Sequence, residues 1–160
     1  MLSSLKHGLK RSLQRAPQRT LRRRLLASLL GAALLHNVAA AELVVIVSAK
    51  SAVTTLRPEQ VADIFLGQIA NFPGGAEAVA LDQSIGSPER DEFYVKVASK
   101  TRPLVKAYWT KMIFTGRGQP PREIGGSDAV RKMVADNPAL IGYIDKSALD
   151  ASVRPVLLVR

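Results

Sequence analysis

From residue 42 onward the chain alternates short continuous apolar runs with stretches in which apolar residues recur every three or four positions. Leu43-Val44-Val45-Ile46-Val47 is unbroken and mostly β-branched, the pattern of a strand buried on both faces. Pro58 suits the first position of a helix, Val61, Ile64 and Phe65 repeat at helical spacing, and Gly67 is placed to end it. Asn71-Phe72-Pro73-Gly74-Gly75 predicts a turn, and Ala78-Val79-Ala80-Leu81 a second short strand. Ser87-Pro88-Glu89-Arg90-Asp91-Glu92 has a Ser cap, Pro at the first position and acids in the first turn, and so predicts a helix start. Phe93, Tyr94 and Val97 form the inner face of that helix. Thr101-Arg102-Pro103 opens a third helix, with Val105, Tyr108, Trp109, Met112 and Ile113 on one stripe. Residues 116–121 read as a loop, and Gly125-Gly126-Ser127-Asp128 leads into a short helix with Val130 and Met133. Residues 140–144 and 156–159 complete the strands. Strands separated by helices predict an α/β fold: a single three-layer lobe with a mainly parallel sheet flanked by helices.

Residues 1–41 have a different character. They carry eight basic residues, from Lys6 to Arg24, and no acid, followed by the apolar stretch 25–35 and by Ala39-Ala40-Ala41. Ala39 and Ala41 match the small-x-small pattern of a signal-peptidase site, so residues 1–41 are expected to be a cleaved signal peptide, cut after Ala41 or one residue earlier. The other reading is an uncleaved anchor, but residues 25–41 are short for about 30 Å of hydrocarbon and include His36 and Asn37. Arg22-Arg23 fits both an ordinary signal and a twin-arginine signal. The expectation is export to the periplasm of residues 42–160 as one domain.

Removing the leader changes the charge picture. The whole chain is +10, but the leader holds eight of those charges and leaves +2, which does not suggest a nucleic-acid partner. Both histidines, His7 and His36, lie in the leader, and the chain has no cysteine. Residues 42–160 therefore lack the groups for Ser-His-Asp or Cys-His catalysis, for a zinc site of nitrogen and sulfur ligands, and for disulfides. Asp63, Asp82, Asp145 and Asp150 are scattered, with no pairing evident from spacing, and no dinucleotide or phosphate-loop motif is present. The chain is expected to be no enzyme and to use no cofactor or metal. Lys106, Lys111, Arg117 and Arg122 read as a basic patch or as an ordinary solvated face; Tyr108 and Trp109 read as core or as a stacking platform.

The most informative segment is Asp82-Gln83-Ser84-Ile85-Gly86-Ser87-Pro88-Glu89-Arg90-Asp91, which runs from a strand end through a turn into a helix start. Free backbone N–H groups and the positive end of the helix dipole gather in such a place and bind oxyanions. Gly86 and Ser87 would form the cradle, with Gln83, Ser84 and Arg90 as flanking donors. The same residues are also those of a plain helix cap, and Glu89, Asp91 and Glu92 would repel an anion. Gly125-Gly126-Ser127 is a second loop open to the same two readings.

Four stretches resemble the periplasmic phosphate-binding proteins of ABC transporters, which have the type 2 periplasmic-binding fold. They are residues 56–69 with Asn71; Ser84-Ile85-Gly86-Ser87-Pro88-Glu89-Arg90-Asp91-Glu92-Phe93; Trp109 with residues 116–121 and 125–130; and Asn137-Pro138-Ala139-Leu140-Ile141-Gly142-Tyr143. The resemblance runs through most of residues 43–145 and covers only the family's second lobe. It implies binding of phosphate or another small oxyanion and a partnership with ABC transporter membrane subunits. The family's ligand loop has Arg, one residue, Asp and then Gly-Ser-Gly-Thr. Here Gln83 stands at the Arg position, Ile85 at the Asp position, and Pro88 and Glu89 replace the last Gly and Thr. Each lost charge-assisted hydrogen bond is worth roughly 1.5–3 kcal/mol, so weak binding is expected. A homodimer facing across Gly86 and Ser87 would replace the absent lobe. The alternative is a non-transport interaction protein, an accessory to an envelope sensor, that has lost the ligand.

Overall fold

A computed structural model describes residues 42–160, so the expected signal peptide and its cleavage site lie outside the described residues. The elements in order are β1 (Leu43–Ser48), α1 (Pro58–Phe65), β2 (Val79–Asp82), α2 (Pro88–Ala98), α3 (Arg102–Phe114), β3 (Arg122–Glu123), α4 (Ser127–Asp136), β4 (Leu140–Asp145) and β5 (Val153–Leu158).

The strands form one sheet in the order β3-β2-β4-β1-β5. β2 runs parallel to β3 and β4, whereas β1 runs antiparallel to β4 and β5. Four strands thus share a direction and β1 alone is reversed. The mainly parallel α/β sheet expected from the alternation is present, but it is mixed because β1 is inserted between β4 and β5 against their direction.

That central position explains the uniform apolar run of β1, which is buried along its whole length. Successive side chains point to opposite faces. Leu43, Val45 and Val47 join Phe65, Phe93, Tyr143 and Trp109 in the core beneath α1, α2 and α3. Val44 and Ile46 join Val130, Val134 and Ile144 beneath α4. The result is three layers. In the first core the Phe93 and Tyr143 rings stack, with centroids 3.9 Å apart and planes 3° apart, and Phe65 packs against Phe93 at 4.6 Å.

Three details differ from the sequence-based expectation. β5 begins at Val153 and includes Pro155. The proline is tolerated because β5 is an edge strand and its register shifts there: Val45 pairs with Leu157 but Ile46 with Pro155. β3 was not foreseen, since its two residues carry no strand pattern and exist only through pairing with Leu81 and Asp82. Ile113 leaves the inner stripe of α3 and is 47% exposed. α3 has α2, and no strand, as its main partner, so its last turn runs past the covered surface.

Candidate functional site

The site is organised by Asp82, the last residue of β2, whose side chain is buried together with that of Arg90. Its Oδ2 accepts hydrogen bonds from Arg90 Nε at 2.8 Å and from the Tyr94 hydroxyl at 2.9 Å. Its Oδ1 accepts from the Gln83 N–H at 2.9 Å and from the Tyr143 hydroxyl at 2.5 Å. α2 brings Arg90 and Tyr94 onto one face because they are four residues apart, and β4, the next strand in the sheet, brings Tyr143. The Arg90 guanidinium also lies 4.9 Å from the centre of the Tyr94 ring.

This arrangement sets the local electrostatics. Burial and the neighbouring Asp82 carboxylate push the Tyr94 and Tyr143 hydroxyls far above the ordinary tyrosine range. Burial opposes the Arg90 charge, but Asp82 outweighs it and raises the guanidinium pKa. On the surface, hydrogen bonds from Lys146, Arg102, Ser147 and Ser152 hold Glu42, Asp91, Asp145 and Asp150 respectively below the usual carboxylate range.

A pH profile follows from these directions. No histidine occurs in residues 42–160, so stability is expected to be nearly flat around neutrality. The lowered carboxylates bind protons less well folded than unfolded, so their stabilisation is lost as pH falls below about 4. The raised tyrosines hold protons more tightly folded than unfolded, so their stabilisation is lost as pH rises above about 10. Melting temperature measured against pH checks both limbs. An alkaline limb unchanged in Tyr94→Phe and Tyr143→Phe would rule out the tyrosines as its cause.

The turn after Asp82 is built as the sequence suggests. The Ser87 N–H donates to the Ser84 carbonyl at 3.0 Å, and Gly86 takes a φ of +96°, which a residue with a side chain adopts only with strain. Ser87 caps α2, its Oγ accepting from the Arg90 N–H at 3.2 Å. The N–H groups of Ser84, Gly86 and Glu89 make no hydrogen bond among the described residues. The Ile85 N–H, by contrast, donates to the Glu123 carboxylate at 3.2 Å. Arg102 pairs with Asp91 and donates to the Gly86 carbonyl at 3.2 Å, which ties the turn to the start of α3.

The five residues singled out in the sequence thus separate. Ser84, Gly86 and Ser87 lie together at the turn. Gln83 is 2% exposed and turns inward, where its Nε2 donates to the Tyr143 carbonyl at 3.0 Å, so its amide is not a free flanking donor. Arg90 commits its Nε to Asp82 instead of facing the turn as a free cation. The second loop is also committed: Ser127 Oγ accepts from the Asp145 N–H at 2.9 Å. Among the described residues there is no group of His, Cys, Asp and Glu suited to a metal ion. The sequence reading missed the roles of Asp82, Glu123, Arg102 and Tyr143. An acid ending a strand eight residues before an arginine on the next helix is a signal for the first. Nothing local marks the other three.

No protein-family model matches the sequence, and no curated protein does. Solved structures do match. A protein from Clostridium perfringens, described as a phosphate ABC transporter substrate-binding protein and solved with bound phosphate, aligns with a TM-score of 0.57 and 28% identity over 72% of this chain and 44% of its own. An ABC-type phosphate transport receptor from Vibrio cholerae aligns with a TM-score of 0.57 and 18% identity, over 72% of this chain and 45% of its own. PstS from Borrelia burgdorferi aligns at 0.54 and 18%, over 72% and 46%. The structural neighbours are therefore phosphate-transport binding proteins rather than enzymes, and this chain spans less than half their length, as one lobe.

Proposed function

We propose that this one-lobe relative of the phosphate-transport binding proteins is an exported periplasmic domain that binds phosphate or a similar small oxyanion weakly, at the turn between β2 and α2. The observation that carries this reading is the set of unbonded N–H groups of Ser84, Gly86 and Glu89 at the start of α2. Asp82 supports it indirectly. By holding Arg90 and the Gln83 backbone, it fixes the strand end from which the turn departs. The affinity is low because Pro88 brings no donor and Glu123 already lies on the Ile85 N–H. ABC transporter membrane subunits are the partners that fit this reading, and a facing second copy is the means of completing the site.

The test is thermal melting of the purified protein with phosphate, sulfate and chloride at matched ionic strength. A phosphate-selective rise supports the proposal, since ligand bound to the native state raises stability by mass action. Glu123→Gln is expected to tighten phosphate binding about two- to fivefold by removing an exposed like charge. An equal response to all three salts in both proteins would refute anion binding at this turn.

The Glu123 contact favours a second reading, in which an internal carboxylate has taken the anion's place and the domain serves an envelope partner such as a sensor. Crosslinking in the periplasm that recovers one protein partner, with no anion effect on melting, distinguishes it.

A further inference from the structure

Beside the turn, a cavity of about 470 Å³ opens between the start of α2 and α3, with Ile85 of the turn in its wall. Its walls are apolar at Ile85, Val105, Trp109 and Ile113, and basic at Arg90, Arg102 and Lys106; no carboxylate lines it. Two side chains on its walls bring N–H groups to it. Arg90 is 6% exposed, and beyond its Nε bond to Asp82 its two Nη groups make no hydrogen bond among the described residues. Trp109 is 5% exposed, and its indole N–H lies near the Tyr94 hydroxyl without closing a well-aligned hydrogen bond to it. A guanidinium fork suits the two oxygens of a carboxylate or phosphate. The volume lies in the range of small-molecule sites, and the apolar walls exceed what an inorganic ion would cover.

We propose that this cavity binds an organic oxyanion carrying a short apolar group, its charged head on Arg90 and Lys106 and its apolar part against Val105, Trp109 and Ile113. The proposal goes beyond inorganic phosphate at the turn and uses different donors.

Trp109 is the chain's single tryptophan, so its emission reports on the cavity directly. The probes are hexyl phosphate, hexanoate, hexanol and inorganic phosphate at matched ionic strength, added to the purified protein. The expected result is a saturable change in Trp109 emission with hexyl phosphate or hexanoate, and none with hexanol or inorganic phosphate. Lys106 is exposed and Ile113 half-exposed, so Lys106→Glu and Ile113→Glu keep the fold. Each is expected to weaken the response about tenfold, equal to about 1.4 kcal/mol. Ser84→Ala, at the turn, leaves it unchanged. The proposal is overturned if neither hexyl anion changes the emission, if hexanol acts equally, or if Ile113→Glu binds as tightly as the parent. Stabilisation by inorganic phosphate without any hexyl-anion response would reject the cavity and leave the turn as the site; the reverse would reject the turn and leave the cavity.

Discussion

Asp82→Ala is expected to destabilise the protein by about 3–5 kcal/mol, the cost of leaving a buried charge without its partner. Arg90 would stay 94% buried with no counter-ion, and the hydroxyls of Tyr94 and Tyr143 would lose their common acceptor. The Gln83 N–H would keep only its 3.2 Å contact to the Tyr143 hydroxyl. For a domain of this size a loss of that order lowers the melting temperature by ten degrees or more. Denaturant unfolding measures it. Asp82→Leu combined with Arg90→Met is expected to lose less than the sum of the single changes, because an apolar pair leaves no orphaned charge. A cost below about 1 kcal/mol for Asp82→Ala would mean that water reaches the cluster and that the ion pair contributes little.

Gly142→Ala is expected to cost about 1–3 kcal/mol through overpacking, although it adds one methyl group in a strand. A Cβ at this position of β4 would stand 2.4 Å from Val130 Cγ1 and 3.4 Å from Val134 Cγ2. Both valines belong to α4 and are fully buried, so α4 must move away from the sheet or its side chains must leave their rotamers. Val130→Ala in the same chain removes the clash, and the double variant is expected to recover part of the loss. Equal stability of Gly142→Ala and the parent in urea unfolding would show that α4 shifts freely over the sheet. If the double variant were no more stable than Gly142→Ala alone, Val130 would not be the obstacle.

Gly142 and Asp82 illustrate how unevenly the molecule is written into its sequence. Gly142 stands within a strand pattern, and nothing beside it announces the valines of α4. Asp82 looks like one of four scattered acids until α2 and β4 deliver Arg90, Tyr94 and Tyr143 to it. Glu123 meets the Ile85 N–H across 38 residues of chain, and Gln83 meets the Tyr143 carbonyl across 60. No spacing rule reaches so far, because such contacts depend on which strands become neighbours.

The sequence by itself determined what works within one or two turns of chain. The apolar run of β1, the Pro and Ser at the start of α2, the helical repeat of Val61, Ile64 and Phe65, and the Gly86 turn all follow from local backbone and side-chain geometry. The alternation of these elements also carried the α/β layering. Only the tertiary structure decided that β1 lies reversed between β4 and β5, that Glu123 covers one donor of the turn, and that Arg90 turns inward to Asp82 beside an apolar cavity. The physical reason is that hydrogen bonds and dipoles of neighbouring residues are set by the chain's own short-range geometry. The burial of a charge and the shape of a cavity are set by which distant segments the core draws together.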